Sequence, residues 1–285
     1  MNRVRNVRRR FMNSLALAVV YTLTAIALIP LALVLWYTAV KGWPAASHLE
    51  FYVNVERPVG IPGAGVAHAI VGSAVMVGLA SLISIPVGVI SGVNLVEFGG
   101  RFARVVRLAA DVLVGAPSIA IGLFAYVLFV APFHHFSGVA GALALAVLML
   151  PVVIRTTEGA VALIPASLRE SGLALGLPRW RVALQLVLPA AAPGVITGAL
   201  LAIARAAGET APLLFTGFGN RFWNVDPTQP MSALPLIVFH DALTPYPALQ
   251  EQAWGAALVL VAAMLVVNLA SRWAVRRQVR LAGQL

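Results

Sequence analysis

Two ionisable residues, Arg205 and Glu209, lie inside an apolar segment and could bind an anion there. They are four positions apart, so they share one face if the segment is helical. Counted from Ala191, they lie about 20 Å and about 27 Å along such a helix. Ionisable side chains within a bilayer are costly, face the protein interior and by default mark a substrate path.

The chemistry available to this pair is the binding of an oxyanion. A guanidinium presents two parallel N–H donors that match the spacing of phosphate oxygens. Glu209 would repel a phosphate dianion unless it pairs with Arg205 or accepts a hydrogen bond from a protonated phosphate. The alternative is a purely structural ion pair inside the membrane, and the two residues alone do not decide between these roles.

These residues need a membrane around them, and the composition indicates one. Of the 285 residues, 60% are hydrophobic and 11% are charged, whereas soluble domains carry about 25% charged residues. The mean hydropathy is +0.91. About 20 apolar residues in a helix cross the roughly 30 Å of hydrocarbon. Six stretches meet this requirement and predict an all-α, polytopic membrane protein with six transmembrane helices: Ser14–Trp36, Ala69–Leu95, Val112–Phe133, Val139–Ile154 (continuing through Arg155), Ala191–Gly217 and Gln252–Trp273.

Basic residues between these stretches predict the orientation. Four clusters fall on one face: Arg3, Arg5, Arg8, Arg9 and Arg10; Arg101, Arg104 and Arg107; Arg155, Arg169, Arg179 and Arg181; Arg272, Arg276, Arg277 and Arg280. The opposite face holds only Lys41, Arg57 and Arg221. The positive-inside rule makes the first face cytoplasmic, with both termini inside. The net charge of +10 is then a consequence of topology, and we expect a lipid membrane and no nucleic acid as partner.

The spans divide the chain into five parts. These are a basic N-terminus (1–13), the first span (14–36), an extracytoplasmic segment (37–66), a transmembrane domain of five helices (67–274) with a cytoplasmic loop at about 165–190, and a basic tail (275–285). The first 46 residues could alternatively be a cleaved signal, but their long apolar run and the lack of an A-x-A site favour a retained span. In the outer segment 218–251, an apolar piece at 231–240 either lies in the membrane interface, re-enters the membrane, or packs as an outer loop.

Several residue types that catalysis requires are missing or misplaced. The absence of cysteine excludes disulfides, thiolate metal ligands and thiol nucleophiles. The only lysine, Lys41, lacks the glycines and the hydroxyl of a phosphate-binding loop, so any ATP would be hydrolysed by a partner. No His/Asp/Glu cluster or serine dyad supports an intramembrane enzyme. We expect no catalytic residue, no metal site and no cofactor bound by this chain.

The cytoplasmic loop after the fourth span has the pattern of a short helix. Ser167 and Glu170 fit a capping box, in which each side chain bonds the backbone N–H of the other. Gly176 stands where a helix would end in a left-handed residue, and Pro178 follows. A second helix should start near Pro178 and run into the fifth span. A helix of about two and a half turns is marginal alone and needs a surface to pack against.

This loop resembles the EAA signature of ABC-importer permeases. Glu170-Ser171-Gly172 is followed by Gly176 and by the apolar ending Leu186-Val187-Leu188-Pro189 at matching spacings. The family often has Glu-Ala-Ala, so this chain keeps small residues after the glutamate. The resemblance implies a type I ABC-importer permease fold, in which this helix docks on the ATPase subunit. Glu170, Ser171, Gly172, Gly176 and Pro189 would then couple ATPase closure to transport, and the small residues would allow close approach to the partner.

A second resemblance is more specific. The segment Ala202–Thr216, containing Arg205-Ala206-Ala207-Gly208-Glu209-Thr210-Ala211-Pro212, is similar to the signature of the A-type permease subunit of phosphate ABC transporters (PstA-like). The C-type sister family shares Gly-Glu-Thr but typically continues with Met-Ala-Val. The stretches Ala69–Ser73, Gly115–Phe124 and Leu150–Glu158 agree as well. The similarity covers approximately residues 63–273.

The resemblance implies a function and a set of partners. It predicts one half of the path of an ATP-driven importer of inorganic phosphate in the cytoplasmic (inner) membrane of a prokaryote. The expected partners are a C-type companion permease, an ATP-binding subunit in two copies that carries ATP and Mg, and an extracytoplasmic phosphate-binding protein. Arg205, Glu209, Arg155 and Thr210 would line the substrate path. The alternative is a permease for another oxyanion or small solute.

Arg155 has two possible roles that the sequence leaves open. Near the cytoplasmic edge it could extend to the interface as a topological anchor, or it could form the inner end of an anion path, as the resemblance implies. Asp111, at the start of the third span, should either complement the helix dipole or meet a nearby arginine.

Overall fold

The computed structural model describes the backbone of residues 2–282 and the side chains of residues 9 and 11–269. Most arginines of the two terminal clusters therefore lie outside the described side chains. The described backbone is helical, with twelve α-helices in chain order: α1 (Asn2–Ala46), α2 (Glu50–Val53), α3 (Ala67–Glu97), α4 (Gly100–Gly115), α5 (Ser118–Phe129), α6 (Gly138–Ala162), α7 (Ala166–Ala174), α8 (Arg179–Arg181), α9 (Leu188–Ala207), α10 (Ala211–Thr216), α11 (Leu234–Ala242) and α12 (Pro247–Ala282).

Among the described residues, five helical stretches are long and apolar enough to cross a membrane, and the number is six if a bent pair counts as one span. The predicted all-α, polytopic architecture is thus confirmed. The fourth predicted span, as expected, continues beyond Arg155 to Ala162. The helix predicted to start near Pro178 is also present, because the chain is helical from Arg179 to Ala207.

Close packing of α3 against α6 forms the centre of the bundle. A Cβ atom on Gly88 would lie 2.7 Å from Val153 Cβ, and one on Gly92 would lie 2.6 Å from Thr157 Cβ. Glycines at these points let the two backbones approach, as small residues do between membrane helices. Larger side chains fill the remaining space of the core, among them Met76, Leu145, Met149, Leu213 and Leu236.

The third span is bent, and the predicted continuous helix at Val112–Phe133 is wrong. α4 and the stretch from Ser118 to Phe133 meet at an angle of 113°. Pro117 lacks an N–H and disfavours a helical conformation of the preceding residue, and Ala116 is accordingly extended. α4 is therefore an amphipathic helix that carries Arg101, Arg104 and Arg107, which the sequence had suggested to lie in a loop.

The fifth span is also interrupted, which corrects the predicted continuous stretch Ala191–Gly217. α9 ends at Ala207, and α10 begins at Ala211 after three intervening residues. Pro212 cannot donate a backbone hydrogen bond to the preceding turn, so the helix does not continue through this point. The break places Gly208, Glu209 and Thr210 in a short irregular segment.

The outer piece 231–240 packs against other helices of the bundle. Its helix α11 contacts α12 and α3, with Leu234, Leu236 and Ile237 buried. The backbone N–H of Leu234 donates a 2.8 Å hydrogen bond to Ser73 Oγ on α3. This packing closes the end of the bundle at which α3 begins.

α1 lies at the edge of the bundle. Side chains from Phe11 through Trp36 are exposed, and the helix packs on α12 near its C-terminal end, where the rings of Tyr37 and Trp254 are 5.1 Å apart. An apolar helix exposed along this length is suited to contact with lipid. The first predicted span, Ser14–Trp36, thus lies within a longer helix.

Substitution of Gly88 by alanine should destabilise the bundle by about 1–3 kcal/mol, because the added Cβ overlaps Val153. The matched control is Gly78→Ala on the same helix, where no atom lies within 4 Å of the position that the added methyl group would take. Thermal unfolding of the purified chain in detergent compares the two variants. Equal midpoints would contradict the close α3–α6 contact.

Candidate translocation and coupling sites

Arg205 and Glu209 form an ion pair at the break between α9 and α10. Arg205 Nε lies 3.5 Å from Glu209 Oε1, with 47% of the arginine side chain and 17% of the glutamate side chain exposed. The expected i, i+4 pairing is present, but the distance is long and the guanidinium keeps donors free. Such a pair can accept a further anionic partner at the arginine.

The exposure of Arg205 indicates what lies beside it. A guanidinium within an apolar span cannot face lipid at acceptable cost, so its free side faces a polar cavity or another subunit. Thr210, the third residue of this segment, is partly buried, and its carbonyl accepts the N–H groups of Leu213 and Leu214. Thr210 thus lies next to Glu209, and its carbonyl accepts the first hydrogen bonds of α10.

Arg155 belongs to a different cluster, which joins α6 to α4. Its guanidinium donates to Glu158 Oε2 at 2.6 Å, to Asp111, and to the carbonyl of Arg107 at 3.4 Å. Arg107 also pairs with Glu158, at 2.7 Å. Asp111 thus meets a nearby arginine, which is one of the two roles expected for it.

This cluster changes the interpretation of Arg155. Its side chain is engaged by α4 and α6 and is 29% exposed, so it is not a free anchor extending to the interface. Its ion pairs are also separate from that of Arg205. The sequence analysis missed Glu158 as the residue that bridges two arginines; its position three residues after Arg155 was the available signal.

The loop helix α7 forms as predicted, but the capping box does not. Pro165 is the N-cap and no side chain caps the helix, so Ser167 lies inside the first turn. Ser171 Oγ instead donates to the carbonyl of Ser167 at 2.8 Å. Pro165 fits the boundary because proline disfavours helix in the preceding residue and supplies no N–H. Glu170 is exposed on the surface of α7.

The end of α7 follows the predicted glycine signal. Gly176 has φ +80°, the left-handed conformation. Its N–H donates to the carbonyl of Leu173, and the N–H of Leu177 donates to the carbonyl of Gly172. Pro178 then caps α8. The turn reverses the chain between α7 and the long helix that contains α9.

Gly172 has a role that the sequence interpretation did not give it. It is buried, and a Cβ there would lie 2.7 Å from Leu186 Cδ1 and 2.9 Å from Val182 Cγ2. The small residue therefore allows α7 to pack on this chain's own next segment. That segment, Val182–Val187, is a π-helical stretch, a geometry often found at functional positions. Pro189 lies just beyond it, in the first turn of α9.

Arg169 ties the loop to the membrane helices, and the sequence analysis used it only as a topology marker. Its Nε donates to Glu97 Oε1, at the C-terminal end of α3, over 2.8 Å. Its remaining nitrogens donate to the carbonyls of Ile164 at 2.5 Å and Val161 at 3.0 Å. Val161 lies in the last turn of α6 and Ile164 lies just beyond its end at Ala162. One side chain thus connects α7, α3 and α6.

An apolar surface surrounds the exposed face of α7. The exposed fractions are large for residues that a water-facing loop would not normally expose: Leu163 84%, Leu173 45%, Leu175 81% and Trp180 52%. An exposed apolar patch next to a short helix is typical of a protein interface.

The fold and these two sites define a membrane component of a solute transporter. Residues 84–282 match the family model described as "Binding-protein-dependent transport system inner membrane component". The chain belongs to this family. Its members are, by that description, inner-membrane parts of transport systems that depend on a binding protein.

Relatives of this chain carry a more specific name. The chain is 42% identical to the "Phosphate transport system permease protein PstA" of Yersinia pestis, over 93% of this chain and 90% of that protein. It is 40% identical to the protein of the same name from Haemophilus influenzae, covering 93% and 94%, and 40% identical to PstA 1 of Mycobacterium tuberculosis, covering 93% and 88%.

Solved structures support the fold. A chain of a bacterial alginate ABC transporter, crystallised with a periplasmic protein that binds an alginate pentasaccharide, matches with a TM-score of 0.65 and 12% identity over 97% of this chain and 98% of that one. A chain of the inward-facing MetNI methionine ABC transporter matches with a TM-score of 0.59 and 20% identity, covering 75% and 94%. The chain therefore has the fold of ABC-importer permeases.

Loss of the Arg169 side chain should loosen the loop. Arg169→Gln removes a hydrogen-bonded ion pair and at least two bonds to carbonyls, so local opening of residues 161–176 should become easier by about 2 kcal/mol. Glu97→Gln should have a smaller effect, since the carbonyl bonds remain. Amide hydrogen exchange in this segment measures the change. The control is Arg179→Gln, which changes an exposed arginine of the same loop. Equal exchange rates in all variants would contradict the role of Arg169 in holding the loop to the membrane helices.

Proposed function

We propose that this chain is the A-type permease subunit of an ATP-driven importer of inorganic phosphate. The observation that carries the proposal is the half-exposed guanidinium of Arg205 at a break in a membrane-spanning helix. A fixed guanidinium suits the two oxygens of a phosphate. The relatives named for phosphate transport, 39–44% identical to this chain, favour phosphate over other oxyanions.

In this proposal Arg205 binds the travelling phosphate and Glu209 holds the guanidinium in position. The long 3.5 Å separation leaves the arginine able to exchange its partner for the anion. Glu209 can also accept a hydrogen bond from a protonated phosphate oxygen. Thr210, next in the irregular segment, supplies a hydroxyl that can donate to the same ligand. Arg155 would stand at the inner end of the path, where Asp111 and Glu158 balance its charge and its ion pairs keep α4 and α6 together.

The chain would form one half of the translocation path. We infer that a C-type permease supplies the other half, that two ATP-binding subunits carry ATP and Mg, and that an extracytoplasmic binding protein delivers phosphate. The chain itself would hydrolyse nothing and bind no cofactor. In the complete transporter the exposed side of Arg205 would either contact the companion permease or face the polar translocation path.

Coupling to the ATPase would occur through α7. Glu170 and Ser171 are exposed on this helix, and Leu175 and Trp180 extend its apolar surface. Docking of this surface on an ATPase subunit would bury it. Movement of α7 would reach α3 and α6 through Arg169, while Gly172 keeps α7 against the segment that leads through Pro189 into α9.

Substitutions at the Arg205–Glu209 pair separate a substrate role from a structural one. Arg205→Lys keeps the positive charge but removes the two parallel N–H donors of the planar guanidinium, so it should reduce phosphate uptake several-fold. Arg205→Met with Glu209→Gln removes both charges at similar size, which a structural ion pair tolerates well. We expect this double variant to assemble and retain ATPase activity, yet to transport phosphate at least about 100-fold more slowly.

The measurement is uptake of radiolabelled phosphate into proteoliposomes that contain the whole transporter, with ATPase activity recorded in parallel. If the double variant takes up phosphate nearly as fast as the wild type, Arg205 and Glu209 form a structural ion pair and do not bind the substrate. Transport of a different solute at full rate, with no phosphate uptake by the wild type, would refute the assignment of phosphate.

Orientation and docking can be measured together because the chain contains no cysteine. Glu170→Cys should react with a membrane-impermeant maleimide only from the cytoplasmic side, and bound ATPase subunit should slow that reaction at least fivefold. Asn224→Cys should react from the outside, unaffected by the ATPase. Labelling of Glu170→Cys on intact cells would overturn the six-span orientation.

A further inference from the structure

A cavity lined by charged side chains lies at the other end of the molecule from α7. It has a volume of about 290 Å³ and is lined by side chains from three outer segments, among them Glu56, Arg221, His240 and Asp241. Glu56 lies shortly before the start of α3, whereas Glu97 at the opposite end of α3 binds the coupling loop. α3 itself, with 31 residues, is about 46 Å long.

Asp241 is the unusual group of this cavity. The residue is 3% exposed, and its Oδ2 atom has no hydrogen-bond partner among the described residues. Burial and, to a smaller extent, the nearby Glu56 carboxylate raise the pKa of Asp241 to about 7, although Arg221 opposes the shift. A buried carboxylate without a partner is costly, so a group that satisfies it would be bound favourably.

Glu56 provides a second buried carboxylate in the same cavity. Its side chain is 6% exposed and pairs with Arg221 Nε at 3.1 Å, while 75% of the Arg221 side chain is exposed. Burial raises the pKa of Glu56, and Arg221 and His240 oppose that shift. The single arginine lies at the mouth and can compensate only one of the two carboxylates. When Asp241 is ionised, its carboxylate therefore has no guanidinium partner in the cavity.

We propose that this cavity receives a basic side chain, a lysine ammonium or an arginine guanidinium, from the binding protein that docks on this face of the permease. The proposal rests on the proposed function for the existence and position of that protein. A basic side chain supplies a positive charge and donates hydrogen bonds to Asp241. The described residues offer no group of three His, Asp or Glu side chains suited to a metal ion, which favours a basic side chain as the occupant.

Binding of this side chain should depend on pH, because only the ionised form of Asp241 attracts a cation. Below about pH 7 the carboxyl is mostly protonated, so affinity should increase as the pH rises through 7. The other ionisable groups in the cavity are Glu56, Arg221 and His240. The helices packed on α11 carry His68 on α3 and Glu251 on α12, and neither lines the cavity.

The experiment measures the affinity of the phosphate-loaded binding protein for the complete transporter in nanodiscs. Asp241→Asn, which keeps the size of the side chain, should weaken binding about tenfold at pH 8 and remove the pH dependence. Glu251→Gln changes an exposed carboxylate of α12 near the same face and should leave affinity unchanged. Phosphate uptake at saturating binding protein should persist in both variants, which shows that they fold and assemble.

The partner side chain is identified by substituting each lysine and arginine on the docking face of the binding protein by glutamine. One of these substitutions should weaken binding to the wild-type permease but not to the Asp241→Asn variant. A double-mutant cycle gives this result when two residues interact directly. Unchanged affinity of Asp241→Asn, or no coupled residue on the partner, would overturn the inference. So would loss of wild-type affinity in EDTA, which would indicate a metal ion. A wild-type complex that binds no phosphate-loaded protein would instead refute the proposed function.

Discussion

The rest of the structure depends on the cost of placing charge in a membrane. A charged group within the hydrocarbon must find a partner in the protein or a polar cavity. Arg155 meets this requirement through Glu158 and Asp111, which join α6 to α4. Arg205 meets it only partly through Glu209. The contrast separates a pair that holds helices together from a pair that remains available to an anion.

The same physical requirement shapes the two ends of the molecule. At one end, Arg169 binds Glu97 and the carbonyls of Val161 and Ile164, so the short α7 is fixed to the bundle without a side-chain cap. At the other end, Asp241 remains without a partner among the described residues, in a cavity beside Glu56. In the proposed transporter the first end would transmit movement, whereas the second would gain stability when a partner binds. α3 connects both regions.

Glycine packing explains how α3 can serve as this connection. Gly88 and Gly92 let its backbone approach α6 closely, so that the two helices pack directly against each other. The π-helical stretch after Gly172 and the breaks at Pro117 and before Pro212 are irregular points of the bundle. Irregular backbone inside a membrane is tolerated where it is buried in protein or lines a cavity. The break before Pro212 coincides with the candidate anion site.

The sequence by itself determined the features that local pattern controls. Apolar length predicted the spans, basic residues indicate the orientation, and an i, i+4 spacing predicted the Arg205–Glu209 pair. Gly176 also predicted the end of α7, because few residues other than glycine adopt a positive φ readily. Only the tertiary structure decided which distant residues meet. The bend at Pro117, the tether of Arg169 to Glu97 and the meeting of Glu56 with Asp241 all depend on how helices far apart in the chain pack together, and such pairing leaves no periodic signal in the sequence.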